Sequence, residues 1–580
     1  MTGQTRLARA GAFAQKPWQI QCLSRYRRVQ AFTHRYIPPK LRFAMRLLAL
    51  GATSALALPP LHVLPVLLLT FGLLGRYLNT ATSWRRAAWA GALFGFGFYA
   101  TGLYWLVNAV MVRAAEFWWF VPFPSMGCAL ILAPTVAVPA MLSLAVRPGL
   151  GRMVFFAAAW TLADMSRTFL FSGFTWNALG SCLAIPGLMG DILIQPAAWV
   201  GEDGMTLAVV LLAGLCGTVL VDRWWPDVST RHYSSPQRLA VLSGGALFCL
   251  IWIGAGTARF YTATPQGEPG PIAVIVQGNV PETEKMGRQN PREIFERYLR
   301  LTAQGVREAQ QIQNTQATSQ PPERQAGGPD GSTGRYRPIV FLWPETSFPG
   351  YTLLQDSPRA RQIIMQWANP ADAGLIGALR VDQQDRYRNS ILALAPDGAV
   401  EAVYDKARLV PFGEYQPPFI PLQIVPQGGM APGPGPQTLH LADIPAVGPL
   451  ICYEVIFSGE VVRRDDRPRW LANVTNDGWF GNSAGPRQHL ASVRLRAVEE
   501  GLPVARAANT GISAAYDGRG HRLAWAGWGR SAVLAVPLPA PLAPSLFGRY
   551  GQGIPLALSL FAALLGGLPY WLGALRRKTA

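Results

Sequence analysis

Cysteine is scarce in this chain: six among 580 residues, at positions 22, 128, 182, 216, 249 and 452, with no CxxC pair. That spacing gives no disulfide framework and no thiolate metal site. Histidine is equally sparse, and His440, His489 and His521 stand isolated along the chain, so no histidine cluster offers metal ligation. No glycine-rich phosphate loop is present, and neither a metal nor any other cofactor is expected. Charge is thin too, at 15% of residues against 50% hydrophobic. The chain is too apolar for an ordinary soluble protein and too polar to be membrane spans alone. Spans plus one soluble domain fit.

What charge there is leans basic, 52 Lys and Arg against 33 Asp and Glu. Acidic residues are absent from the first 46 positions, where Arg6, Arg9, Lys16, Arg25, Arg27, Arg28, Arg35, Lys40, Arg42 and Arg46 accumulate. Nucleic-acid binding is one use of such an arm. Because it abuts an apolar run, the reading adopted is a disordered cytoplasmic flank over 1–45, with no nucleic-acid partner. The run is too long for a cleavable signal, and Met45 is an alternative first residue.

Uncharged stretches at 47–75, 87–112, 117–146, 204–221, 239–258 and 550–575 each reach bilayer-crossing length as helices. Residues 153–172 add another in spite of Asp164 and Arg167. Pro59-Pro60 interrupts the first stretch, either as a bend or as a turn between two short helices. Loop charge decides. With a turn there, alternate connections hold Arg76, Arg85 and Arg86, then Arg147 and Arg152, then Arg223, Arg231 and Arg238, then Arg576, Arg577 and Lys578. The opposite connections hold Arg113 and then no Lys or Arg from 171 to 203. Basic loops mark the cytoplasmic side, so the expectation is about eight spans with both termini inside. Seven of these lie within 46–258 and the last at 550–575, leaving 576–580 as a tail and 266–541 outside. Asp164 and Arg167, three apart on one helical face, read equally well as a headgroup or substrate site and as a mutually satisfied pair. The aromatic segment Ser172-Gly173-Phe174-Thr175-Trp176-Asn177 suits the membrane–water interface.

From Pro271 the pattern changes to short apolar runs and amphipathic helices. Residues 272–276, 339–343, 373–379, 390–394, 400–404, 450–452, 471–474, 503–508, 512–516 and 522–526 read as strands. Ile294, Phe295, Tyr298, Leu299 and Val306 space a helix over 292–311, and 485–500 forms another. Between them, 310–337 is rich in Gln, Gly, Pro, Ser and Thr and reads as an exposed, disordered insertion. Strands interspersed with helices and hairpins predict a layered α/β sandwich.

Three strand ends carry reactive groups: Trp343-Pro344-Glu345-Thr346, Tyr404-Asp405-Lys406-Ala407-Arg408-Leu409-Val410-Pro411-Phe412-Gly413-Glu414-Tyr415, and Ile451-Cys452-Tyr453-Glu454. A carboxylate can take a thiol proton, an ammonium can stabilise an oxyanion, and a thiolate can attack a carbonyl. Taken singly, Glu345 reads as a helix cap, Lys406 as a solvated charge and Cys452 as a core cysteine. In this order the three segments resemble the Glu-Lys-Cys triad of the nitrilase superfamily. Joined to membrane spans, with one span after the domain, they are similar to the bacterial apolipoprotein N-acyltransferases. Asn476-Asp477-Gly478-Trp479-Phe480-Gly481, Gly485-Pro486-Arg487-Gln488-His489-Leu490, Arg496-Ala497-Val498-Glu499 and Ala508-Asn509-Thr510-Gly511-Ile512-Ser513 extend the likeness.

The resemblance implies an α-helical membrane bundle carrying an extracytoplasmic nitrilase-like αββα sandwich in a bacterial inner membrane. It implies Glu345 as general base, Lys406 as oxyanion stabiliser and Cys452 as nucleophile. Glu414 would hold Lys406 charged, Tyr453 and Glu454 would flank the nucleophile, with the Tyr453 backbone N–H in the oxyanion hole, and Trp479 would line a lipid-accessible mouth. The acyl donor would be a phospholipid, phosphatidylethanolamine, and the acceptor the α-amine of a diacylglyceryl-cysteine apolipoprotein; a monomer is expected. A membrane-tethered carbon–nitrogen hydrolase using water, and an inert scaffold, are the alternatives. The chain departs from the family where Lys285 is followed by Met286 in place of a common Trp, which bears on donor preference.

Overall fold

The computed structural model describes residues 38–112, 118–121, 123–170, 173–222, 233–286, 290–318, 336–349, 352–415 and 429–578. Of the basic arm, 1–37 lies outside them. Pro39, pre-set for a first helical turn, opens the helix Pro39–Ser54, so the arm is shorter than the expected 1–45.

Strands buried on both faces dictate the layering of the polar region. In β1 (Ile272–Gln277) Ala273 and Ile275 face one apolar core, while Ile272, Val274 and Val276 face another. β2 (Ile339–Trp343) alternates the same way and pairs in parallel with β1 and with β3 (Ala373–Val381). β4 (Tyr387–Leu394) and β5 (Val400–Asp405) extend this sheet antiparallel. A second sheet runs through β6 (Val447–Ile451), β7 (Trp470–Thr475), β8 (Val504–Ala508), β9 (Ser513–Tyr516) and β10 (Arg522–Ala526). The chain then returns as β11 (Ala532–Pro537), antiparallel beside β1. Ile275, Leu342, Ile451 and Val474 meet between the sheets. The helices Pro291–Thr318 and Pro358–Trp367 cover the first sheet, and Gly485–Glu500 covers the second. The result is an αββα sandwich.

Two boundaries differ from the sequence reading. Residues 310–318 are not insertion but the end of Pro291–Thr318, where Ile312 packs on the core and the Gln313 side chain donates to the Arg337 carbonyl at 2.6 Å. Of the remainder, 319–335 lies outside the described residues, while Tyr336 donates to Asp372 at 2.9 Å and Arg337 to the Gly270 carbonyl at 2.8 Å, so the insertion ends by 335. The last apolar helix runs Gly553–Lys578, not 550–575, because Gly551 at φ +53 breaks it from the short helix Leu546–Tyr550.

Most of the remaining described residues are helical. Pro39–Ser54 and Pro65–Thr80 lie side by side, joined through Ser54 Oγ and Thr70 Oγ1 at 2.8 Å, so Pro59-Pro60 sits in a turn. Among the described residues Trp118–Ala145, Ala197–Val221 and Ser235–Thr262 are long and apolar enough to cross a membrane. Ser235–Thr262 exposes Leu239, Leu247, Leu250 and Ile251, a surface suited to lipid rather than water. Pro65–Thr80 and Ala197–Val221 touch backbone to backbone, since a Cβ on Gly72 would lie 2.5 Å from the Gly217 carbonyl. Arginines gather at one end of this bundle. Arg76 and Arg238 share Asp222 at 2.5 and 2.6 Å, and Arg152 donates to the Leu78 carbonyl at 2.6 Å.

Sandwich and bundle share a core, in which Val493 and Ala497 join Trp105, Trp176 and Leu207. Ions reinforce the joint. Arg496, wholly buried, donates to Glu202 at 2.7 Å and to Glu499 at 3.0 Å, and Glu499 accepts the Glu202 backbone N–H at 2.8 Å. Arg496→Met would strand two buried carboxylates, costing about 3–5 kcal/mol. Thermal unfolding in detergent should show that loss; an unchanged midpoint would refute the role of the network.

Candidate active site

The ends of β2, β5, β6 and β7 converge. Lys406 Nζ, 1% exposed, lies 3.1 Å from Glu345 Oε1 and 2.9 Å from Glu414. Asn389, on β4, donates to both carboxylates, at 2.7 Å each. The other oxygen of Glu345 accepts the Asn476 backbone N–H at 3.0 Å, and that of Glu414 the Val410 N–H at 3.0 Å. One ammonium is thus enclosed by two carboxylates whose remaining lone pairs are used, which is what a buried ion group requires.

Burial pushes Glu345 upward, but Lys406, Asn389 and Lys285 outweigh it and hold the carboxyl below its ordinary range. Burial pushes Lys406 downward, and Glu345 and Glu414 reverse that, leaving it firmly charged. Burial and the Glu345 charge push the Cys452 thiol up, against Lys406. The resting set is therefore a protonated thiol, an ionised carboxylate and a cation. It can take the thiol proton and stabilise an adjacent anion.

Cys452 leaves β6 at φ +48 and opens the 3₁₀ turn Cys452–Ile456. A non-glycine residue there stores about 1–3 kcal/mol of strain, held by its surroundings. The Cys452 carbonyl receives His489 Nε2 at 3.0 Å, while His489 Nδ1 meets Asp477 at 2.9 Å and Arg506 donates to Asp477 at 2.6 Å. Asp477, though buried, is held down to about 2 by Arg506 and His489. Each of the three histidines has an aspartate partner: His489 has Asp477, His440 lies 3.1 Å from Asp466, and His521 lies 2.9 Å from Asp191. Among the described residues no cluster of three metal-capable side chains occurs.

The flanking residues hold rather than react. Glu454 accepts Tyr404 OH at 2.7 Å, Ala407 N–H at 2.7 Å and Ile451 N–H at 2.6 Å, locking the Lys406 loop to the cysteine turn. Tyr453 donates to the Gly173 carbonyl at 2.5 Å, and Thr175 donates to the Ile456 carbonyl at 3.0 Å. The 173–177 segment therefore lies under the cysteine turn, and Trp176 is buried against Trp105, Phe480 and His489. The expected placement of Trp176 at the membrane–water interface is corrected accordingly. Trp479 is half-buried in the 3₁₀ turn Asp477–Phe480, which Asn108 grips by donating to the Phe480 carbonyl at 2.7 Å. Met286 ends the helix Glu282–Met286, and its side chain lies outside the described residues. Asp164 and Arg167 pair at 3.1 Å, both buried, and Arg167 donates to the Trp176 carbonyl at 2.6 Å. That geometry favours the satisfied structural pair over a headgroup site.

Asn389 and the Asp477–His489–Arg506 chain were not anticipated. Asn389 lies in the polar start of β4, between Arg388 and Ser390 and just ahead of the strand read at 390–394, so its own position carried no signal.

Residues 50–215 match the family model described as apolipoprotein N-acyltransferase N-terminal domain, and residues 282–543 match carbon-nitrogen hydrolase. A protein of Rhodopseudomonas palustris named apolipoprotein N-acyltransferase is 34% identical, over 93% of this chain and 95% of its own. A protein of the same name from Allorhizobium ampelinum is 36% identical, over 83% and 87%. A third, from Bradyrhizobium diazoefficiens, is 33% identical, over 89% and 92%.

Proposed function

Because the chain belongs to the apolipoprotein N-acyltransferase family, we propose that Glu345, Lys406 and Cys452 move a fatty acyl chain from a phospholipid to a lipoprotein amine. Glu345 takes the Cys452 proton as the sulfur attacks an ester carbonyl of the donor, phosphatidylethanolamine. Lys406 and the Tyr453 backbone N–H face the oxyanion; one such donor is worth roughly 3–4 kcal/mol in the transition state. The intermediate collapses, Glu345 returns the proton to the departing lysophospholipid alkoxide, and a thioester remains on Cys452. The α-amine of a diacylglyceryl-cysteine protein then attacks the thioester, loses its proton to Glu345 and leaves as an amide, restoring the thiol. A thioester is reactive toward amines and the amide is stable, so the second step runs forward.

The observation that carries this reading is the Glu345 carboxylate, bonded to Lys406 at 3.1 Å, at the strand end beside the Cys452 turn that Tyr453 fastens to the apolar bundle. The gathering of Arg76, Arg152 and Arg238 at one end of the bundle supports a cytoplasmic face there, with the sandwich periplasmic in the inner membrane.

Purified protein incubated with acyl-labelled phosphatidylethanolamine and a diacylated lipopeptide should yield labelled amide. Free fatty acid as the sole labelled product would replace the transferase reading with that of a hydrolase.

A further inference from the structure

One cation at this site has no part in the scheme above. Lys285, on the helix Glu282–Met286, donates to the Glu345 carbonyl at 3.3 Å and to the Thr346 hydroxyl at 2.5 Å. Thr346 sits at φ +46, so the backbone directly after Glu345 is strained and has to be held. Ser347 anchors the far side of this turn, its N–H and hydroxyl both reaching the Gly377 carbonyl, at 2.9 and 3.2 Å. The same short helix reaches Glu345 by a second route. Glu282 accepts Asn476 Nδ2 at 2.5 Å, and the Asn476 backbone N–H is the donor to Glu345 Oε2. Both ends of Glu345, main chain and carboxylate, are therefore fixed from Glu282–Met286.

We propose that Lys285 is a positioning residue for Glu345: it clamps the Glu345–Thr346 turn and sets a second positive charge beside the carboxylate and the Cys452 thiol. This rests on Glu345 acting as the base. The charged or polar groups facing Glu345 are Lys406, Asn389 with Glu414 behind it, Asn476 and Lys285, with Cys452 and Glu282 close by. Lys406 pairs directly with two carboxylates, whereas Lys285 donates to a carbonyl and a hydroxyl while Glu282 and Glu345 act on its charge from farther off, so replacing Lys285 leaves the Lys406 ion group intact. A positive charge favours the ionised carboxyl, and losing it raises the pH at which Glu345 becomes protonated.

The test is the pH dependence of acyl-enzyme formation, followed with labelled phosphatidylethanolamine in single turnover. Lys285→Met should move the acid limb up by about one pH unit, since one nearby charge is lost, and slow the plateau at least tenfold. Lys285→Arg should keep the limb in place. Thr346→Ala, which removes one hydrogen-bond acceptor and no charge, should slow the plateau without moving the limb. An unshifted limb in Lys285→Met, or a limb that moves equally in Lys285→Arg, overturns the proposal while leaving Glu345 as base. If the unaltered protein forms no acyl-enzyme at all, it is the reading of Glu345 and Cys452 that fails, and this proposal with it. Should Lys285→Met not be recovered folded, Lys285→Arg and Thr346→Ala decide: a shifted limb in either refutes the assignment.

Discussion

Cys452→Ala should give a folded membrane protein that forms no covalent adduct with labelled phospholipid and makes no amide. Removing a nucleophile that acts as one unit with its base costs on the order of 10⁵–10⁶ in turnover. The adjacent side chain is already committed, since Tyr453 donates to the Gly173 carbonyl. The fold should hardly notice. The thiol is buried between the sheets, and alanine takes the same left-handed backbone at similar strain, so the change in stability should stay near 1 kcal/mol. Intact-mass measurement after incubation with the donor, beside a thermal melt, separates the two effects. A lipid adduct on the alanine variant would end the assignment of Cys452.

Lys406→Met should be the most damaging change for fold and chemistry together. It leaves Glu345 and Glu414 facing the same buried space with only Asn389 between them. Removing one partner of a buried ion group costs about 3–5 kcal/mol. One carboxyl then relieves the repulsion by taking up a proton, and a protonated Glu345 is no base. The pH dependence should reverse sign. In the unaltered protein Glu345 is held below its ordinary pKa, so its contribution is present above the unfolded value and lost as pH falls through the folded one. In the variant the same carboxyl is pushed above its unfolded value, so stability rises as pH falls from 8 toward 5. Melts across that range distinguish the two; parallel curves would mean that Lys406 does not govern the carboxylates.

Much of this site was legible because its chemistry sits at strand ends in short contiguous blocks. Glu345 and Cys452 follow apolar runs and Lys406 follows the mixed strand 400–405, and these segments themselves announced β2, β6 and β5. Other parts were hidden for physical reasons. β11 follows polar turns at the far end of the domain and completes a sheet begun some 260 residues earlier, a pairing with no local signature. The end of Pro291–Thr318 has almost no apolar anchors besides Ile312, so its composition resembled a linker. Trp176 looked like an interfacial anchor because aromatic residues near apolar spans usually are; its burial depends on Phe480 and His489, more than 300 residues away. The partners of His489, Asp477 and Arg506, lie on other elements and become its neighbours only on folding.

The helix Gly485–Glu500 has no dry side and wet side. Apart from Arg487 and Leu490 its residues are buried, Arg494, Arg496, Glu499 and Glu500 among them, because one flank meets the second sheet and the other meets the bundle. This bears on how such a protein can change over time. Excised at 266–541, the sandwich would expose ion partners evolved for dry surroundings, so it is not a portable module. Nor can a foreign sandwich be grafted on the bundle unless it supplies a carboxylate for the Glu202 backbone and a hydroxyl for Gly173. The two parts are inherited as one object, and a substitution on either flank of that helix is a substitution in both.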